Sequence, residues 1–113
     1  MEAFSKEIRE LKPGAILVRV AGALDAGTSI RLEMDLAPYL ARSGTRDVVM
    51  EVPDLTFVSS SGLRVFMIII KNIAPRQGRL FMVGAGPQVV GMIKMAGMGK
   101  MFQFREIIQE CEL

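Results

Sequence analysis

Alternation of strand-like and helix-like segments along the chain predicts an α/β fold built on a mixed, mostly parallel sheet. Short runs with an apolar residue at every second position recur between longer stretches whose apolar residues repeat every three or four, the periodicities of strand and helix. The predicted order is β-β-α-β-α-β-α-β-α, and strands separated by helices pair in parallel through right-handed crossovers. Neither a linker-like segment nor an internal repeat breaks the series, so residues 1–113 are expected to form a single domain.

The first two strands read as an antiparallel hairpin. Phe4 to Leu11 mixes polar and apolar residues and runs into Lys12-Pro13-Gly14, where proline supplies the fixed φ of a turn. Ala15 to Ala21 then alternates, with Ile16, Val18 and Val20 on one face and Leu17 and Arg19 on the other. After Gly22-Ala23-Leu24-Asp25, the spacing of Leu32, Leu36, Tyr39 and Leu40 predicts a helix. Pro38 is expected to kink or restart it, and Ser43-Gly44 to stop it.

Val48 to Val52 is a short strand with Val48, Met50 and Val52 on one face, and Leu55-Thr56-Phe57-Val58 leads from it to three consecutive serines. Gly62 to Ile73 is apolar on nearly every side, so this helix is expected to be covered by protein over most of its surface. Pro75 and Gly78 end it. Leu80 to Val83 is a buried strand, and Gly84-Ala85-Gly86-Pro87 is a turn with proline at a helix start. Val89, Val90, Ile93 and Ala96 form the stripe of the third helix, stopped by Gly97 and Gly99. Phe102 and Phe104 mark a last strand, and Ile107 and Ile108 anchor a short C-terminal helix.

The bulk composition excludes several classes of function. With 50% hydrophobic and 23% charged residues, one ordinary core suffices and neither metals nor disulfides are needed. Cys111 has no partner for an internal bridge, which suits a reducing compartment. A net charge of +2 with no cluster of Lys or Arg argues against nucleic acid as a partner, because binding it takes a basic stripe with several phosphate contacts. The stretch from Met1 to Glu7 lacks the apolar core of a signal peptide. The longest apolar run, Val65 to Ile70, is far shorter than the roughly 20 residues of a membrane span. A cytoplasmic protein without direct membrane insertion is expected.

Catalytic chemistry finds little footing. The absence of histidine removes Ser-His-Asp and Cys-His nucleophiles and the commonest metal ligand. A Ser-Lys arrangement would want lysine three residues after the serine at a helix start, but Arg64 follows Ser61 and its guanidinium stays protonated. Asp25 and Asp54 each follow an apolar strand and could pair as carboxylates, although acids at strand ends are common without catalysis. Gly84-Ala85-Gly86 sits where a dinucleotide loop would, but Val89 occupies the place of that fingerprint's third small residue. A tight strand-to-helix turn is the simpler reading. No metal, no cofactor and no intrinsic enzyme activity are expected.

Met92, Met95, Met98 and Met101 recur every three residues. An exposed methionine stripe would suit a partner surface, but Gly97 and Gly99 break the helix and core or half-buried packing is the expectation.

The triple serine stands apart. Serine is a favoured N-cap, since its oxygen accepts from a free amide at the helix start. One serine explains that role, and three in succession need not all be caps. A helix N-terminus also offers partial positive charge and free N–H donors, so a phosphate added there adds about two negative charges without opposing the fold. Cap and regulated serine are both compatible with this position.

Three stretches, in order and across essentially the whole chain, resemble the STAS family, the domain of bacterial anti-sigma factor antagonists and of sulfate-transporter tails. Val20-Ala21-Gly22-Ala23-Leu24-Asp25 is similar to the family strand ending in G-x-L-D. Val52-Pro53-Asp54-Leu55-Thr56-Phe57-Val58-Ser59-Ser60-Ser61-Gly62-Leu63 resembles its D-L-S-x-V-D-S-S-G-L signature, and Ala96-Gly97-Met98-Gly99-Lys100-Met101-Phe102 resembles the G-L-x-x-x-F close of its third helix. The resemblance implies a single-domain STAS-like fold and a partner-switching role. The unphosphorylated domain would bind an anti-sigma factor that is also a serine kinase, and phosphorylation would dissolve the complex. By the same resemblance Ser60 is the phosphorylated serine, with Ser59 and Ser61 as the fallback positions. Gly22, Asp25 and the Ser59 to Gly62 turn would share the partner-binding surface. Ser59 departs from the family pattern, which has aspartate there; serine can cap the helix but supplies no carboxylate.

Two other readings compete. One is an accessory STAS subunit of a membrane transport ATPase; the other is a small enzyme or nucleotide binder built on the Asp25, Ser60 and Gly84 loops. A monomer or weak dimer is expected.

Overall fold

A computed structural model describes residues 3–113; Met1 and Glu2, the start of the polar N-terminal stretch, lie outside the described residues. Strands β1 (Ser5–Lys12) and β2 (Ala15–Leu24) form the expected hairpin, pairing antiparallel from Ser5 opposite Ala21 to Lys12 opposite Ala15. Helix α1 (Ala26–Ala41), β3 (Asp47–Glu51), β4 (Leu55–Val58), α2 (Ser60–Ile73), β5 (Leu80–Val83), α3 (Pro87–Met95) and β6 (Gln103–Arg105) follow. One-turn 3₁₀ segments occupy Ala74–Arg76, Gly99–Met101 and Ile108–Cys111.

The sheet runs β1-β2-β3-β5-β6, parallel after the hairpin. The one element that the periodicity did not mark as a strand is β4, which lies off this path and pairs in parallel with the end of β2. Its exposure explains the omission. Leu55 and Val58 are buried while Thr56 and Phe57 are exposed, so the four residues do not alternate. The C-terminal helix is a single 3₁₀ turn, too short for helical spacing to define.

The main core lies between one face of the sheet and the helices. Ile16, Val18, Val48, Met50 and Met82 meet Leu32 and Leu36 of α1 and Val65, Phe66 and Ile69 of α2. The all-round apolarity of α2 follows from its position: Leu63, Met67, Ile68 and Ile70 are half-buried beside its buried residues. Helix α1 continues through Pro38 to Ala41, so it does not restart there. The opposite face of the sheet is apolar only at its centre. There Leu17, Val49, Phe81 and Val83 are sealed by Cys111 with Ile108, Leu11 and Leu113. Cys111 is therefore buried, and burial pushes its thiol above the ordinary range.

Candidate helix N-terminal site at the end of the sheet

The site is assembled by the way β2 divides its hydrogen bonding. Residues Ala15 to Arg19 pair with β3, and residues Gly22 to Leu24 pair with β4. The ladder shifts between Gly22 and Ala23, and Gly22 takes a φ of +89°. A side chain there would also crowd the backbone just before β1, its Cβ lying 3.0 Å from the Phe4 Cα. The Gly22 amide donates to the Asp54 carbonyl at 3.0 Å, and the Thr56 hydroxyl donates to the Gly22 carbonyl at 3.0 Å. The Ser59 amide donates to the Leu24 carbonyl at 2.8 Å.

These bonds hold the carboxyl ends of β2 and β4 together, so the helices that follow begin side by side. Asp25 caps α1. Its carboxylate accepts from the Thr28 amide at 2.9 Å, while the Asp25 amide donates to the Thr28 hydroxyl at 2.9 Å, a reciprocal capping box. The Thr28 amide and hydroxyl hold the Asp25 carboxyl below the usual carboxylate range. This carboxylate is thus committed to the helix start, and what Asp54 contributes here is its backbone carbonyl.

Ser59 caps α2, its hydroxyl accepting from the Gly62 amide at 3.2 Å. Gly62 packs α2 tightly on the strand ends: a Cβ there would be 2.8 Å from Val58 Cγ1 and 3.0 Å from Leu24 Cβ. Ser60 opens the helix and is exposed, and Ser61 is half-buried beside it. The three serines therefore divide. Ser59 is used by the fold, whereas Ser60 presents its hydroxyl to solvent at the positive end of a helix.

Gly22, Asp25, Ser59, Ser60, Ser61 and Gly62 all gather at this one end of the sheet. Two exposed apolar residues join them without a sequence signal for exposure: Phe57, 44% exposed on β4, and Ile30, 57% exposed in the second turn of α1. The Gly84 loop also reaches this end, with Gly84 at φ +75° packed on Pro53 and Pro87 in the first turn of α3. It forms the tight strand-to-helix turn expected of it.

The family model for the STAS domain matches residues 8–111. The chain belongs to the STAS family. Among relatives of this STAS domain, the anti-sigma F factor antagonist of Paenibacillus polymyxa is 30% identical over 77% of this chain and 74% of its own. The anti-sigma-B factor antagonist of Staphylococcus aureus is 26% identical over 79% of this chain and 82% of its own. The fold is that of the anti-sigma factor antagonist SpoIIAA in its unphosphorylated form, with a TM-score of 0.84 over 96% of this chain and 93% of the other at 15% identity. The phosphorylated form of SpoIIAA superposes with a TM-score of 0.77 at 14% identity, over 96% of each chain. Among the described residues, no helix of this STAS domain is long and apolar enough to cross a membrane.

Proposed function

We propose that this STAS domain is a non-catalytic, cytoplasmic anti-sigma factor antagonist that binds an anti-sigma factor serine kinase and is released when Ser60 is phosphorylated. The observation that carries the reading is the exposure of Ser60 at the start of α2, beside the capped start of α1. A phosphate on Ser60 meets helix amides and a positive dipole end, so the fold tolerates it. An interface that had closed over the turn does not. Burying an unpaired phosphate dianion costs several kcal/mol, and a penalty of about 3 kcal/mol weakens binding on the order of a hundredfold. That difference is enough to exchange partners.

The names of the curated relatives support the antagonist role, and the solved phosphorylated form of a protein with this fold supports a phosphate-dependent switch. Phe57 and Ile30 supply apolar contact area at the rim of the proposed surface. Incubating the protein with an anti-sigma factor kinase and ATP, then locating phosphate by mass spectrometry, tests the reading. Incorporation in wild type and its loss in Ser60→Ala support it; unchanged incorporation in that variant overturns the assignment.

A further inference from the structure

A second concave surface lies at the opposite end of the sheet. Strands β2 and β6 both belong to its parallel part, so the segment that enters β6 lies at the amino edge, while Ser59 and Asp25 follow the carboxyl ends of β4 and β2. This segment leaves α3 through Gly97, whose φ of +75° closes the helix with the Gly97 amide on the Lys94 carbonyl and the Met98 amide on the Ile93 carbonyl. A groove of about 600 Å³ opens there, lined by Lys94, Gly97, Gly99, Lys100 and Phe104.

Its two kinds of wall are distinct. Phe104 gives a fixed apolar side, because its ring packs on Phe102 with centroids 5.9 Å apart and Phe102 in turn packs edge-on to Phe66 in the core at 5.5 Å. Phe104 also lines a neighbouring hollow of about 180 Å³ with Ala85 and Val90, which has Arg105 and Glu106 at its border. Cations form the other side. A Cβ on Gly99 would lie 3.2 Å from Lys94 Cγ, so the absence of a side chain there leaves room for the stem of Lys94. Among the described residues, neither Lys94 nor Lys100 has an ion-pair partner, although seven ion pairs form elsewhere. Two uncompensated ammonium groups beside an aromatic wall complement one negative charge joined to an apolar body.

We propose that this groove binds a free anionic amphiphile, its head group between Lys94 and Lys100 and its tail along Phe104. The volume falls in the range of about 300–1,000 Å³ typical of small-molecule sites. The groove is lined by Lys94, Gly97, Gly99, Lys100 and Phe104 and by no residue of the serine turn, and the proposal does not depend on the antagonist reading.

Decanoate titrated into ¹⁵N-labelled protein, below its aggregation concentration, tests it. Saturable amide shifts confined to residues 94–104 and the adjoining hollow are expected, with much weaker binding of uncharged decanol. In the Lys94→Glu/Lys100→Glu variant the affinity should fall by about tenfold or more, the loss of two partly exposed charge contacts. Lys100→Gln, which removes one exposed charge, should give an intermediate loss and serves if the double variant does not fold. Absence of saturation, equal binding of decanol, or unchanged affinity in the variants would overturn the proposal. So would binding to phosphatidylglycerol vesicles with none to decanoate, which would place the charge recognition at a lipid surface instead.

Discussion

The amide of Ser59 donates to the carbonyl of Leu24 at 2.8 Å, and this bond sets the start of α2 against the end of β2. Asp25 is the next residue after Leu24, so one backbone contact brings the caps of two helices together although they are 34 residues apart in sequence.

The division of labour among the serines predicts distinct phenotypes. Ser59→Ala should lower stability by about 1 kcal/mol, the usual loss of a serine N-cap, while Ser60 still accepts phosphate. Ser60→Ala should leave stability nearly unchanged while abolishing incorporation. Urea denaturation paired with phosphopeptide mapping checks both.

Ser59→Asp restores the residue that the family pattern carries. Aspartate caps as well as serine, and its charge gains from the helix dipole. Stability should be retained or rise by a few tenths of a kcal/mol at low ionic strength, and the gain should shrink in high salt when melting is followed by circular dichroism.

Gly62→Ala should cost about 1–3 kcal/mol, the range for overpacking a well-packed contact. The new methyl would lie 2.8 Å from Val58 Cγ1, closer than real side chains come, and a tight 3.0 Å from Leu24 Cβ. Because those residues end β4 and β2, partner binding should weaken as well. Comparing unfolding midpoints with binding titrations separates the two effects.

Acid sensitivity follows from Asp25. Its carboxyl titrates below the ordinary range in the folded state, so its contribution is fully present above the unfolded pKa and is lost as the pH falls through the folded one. An asparagine in its place would cap without titrating. Below about pH 4, wild type should lose stability relative to Asp25→Asn, measurable by denaturant titrations at stepped pH.

Cys111 should be inert in the native protein. It is 1% exposed, and burial suppresses the reactive thiolate. Reaction with a disulfide reagent should be slow until denaturant frees the C-terminal turn; rapid stoichiometric labelling would contradict this packing.

Much of this architecture was legible in the sequence because most strands and helices bury one clear face. Val48 and Met50, or Leu32 and Leu36, announce their elements by spacing alone. The missing strand shows where that signal fails. β4 is four residues long and exposes its middle pair. The methionines divide for a similar reason. The turn at Gly97 sends Met98 inward to 6% exposure and leaves Met95 at 91%, a split that a three-residue repeat cannot reveal. In the candidate site, each cap had a local signature, but the nearness of Asp25 to Ser59 depends on the pairing of β2 with β4. No local pattern encodes that pairing.

The same pairing sets how the serine turn would open. β4 joins the sheet through the last residues of β2 alone, after β2 has finished pairing with β3. Opening those few rungs leaves the ladders of β2, β3 and β5 intact, so the turn can loosen as a local unit at a fraction of the free energy of global unfolding. Amides around Ser59 should exchange with solvent well before those of Val49 or Met82. A partner that grips the turn would slow that exchange, and a phosphate that expels the partner would restore it.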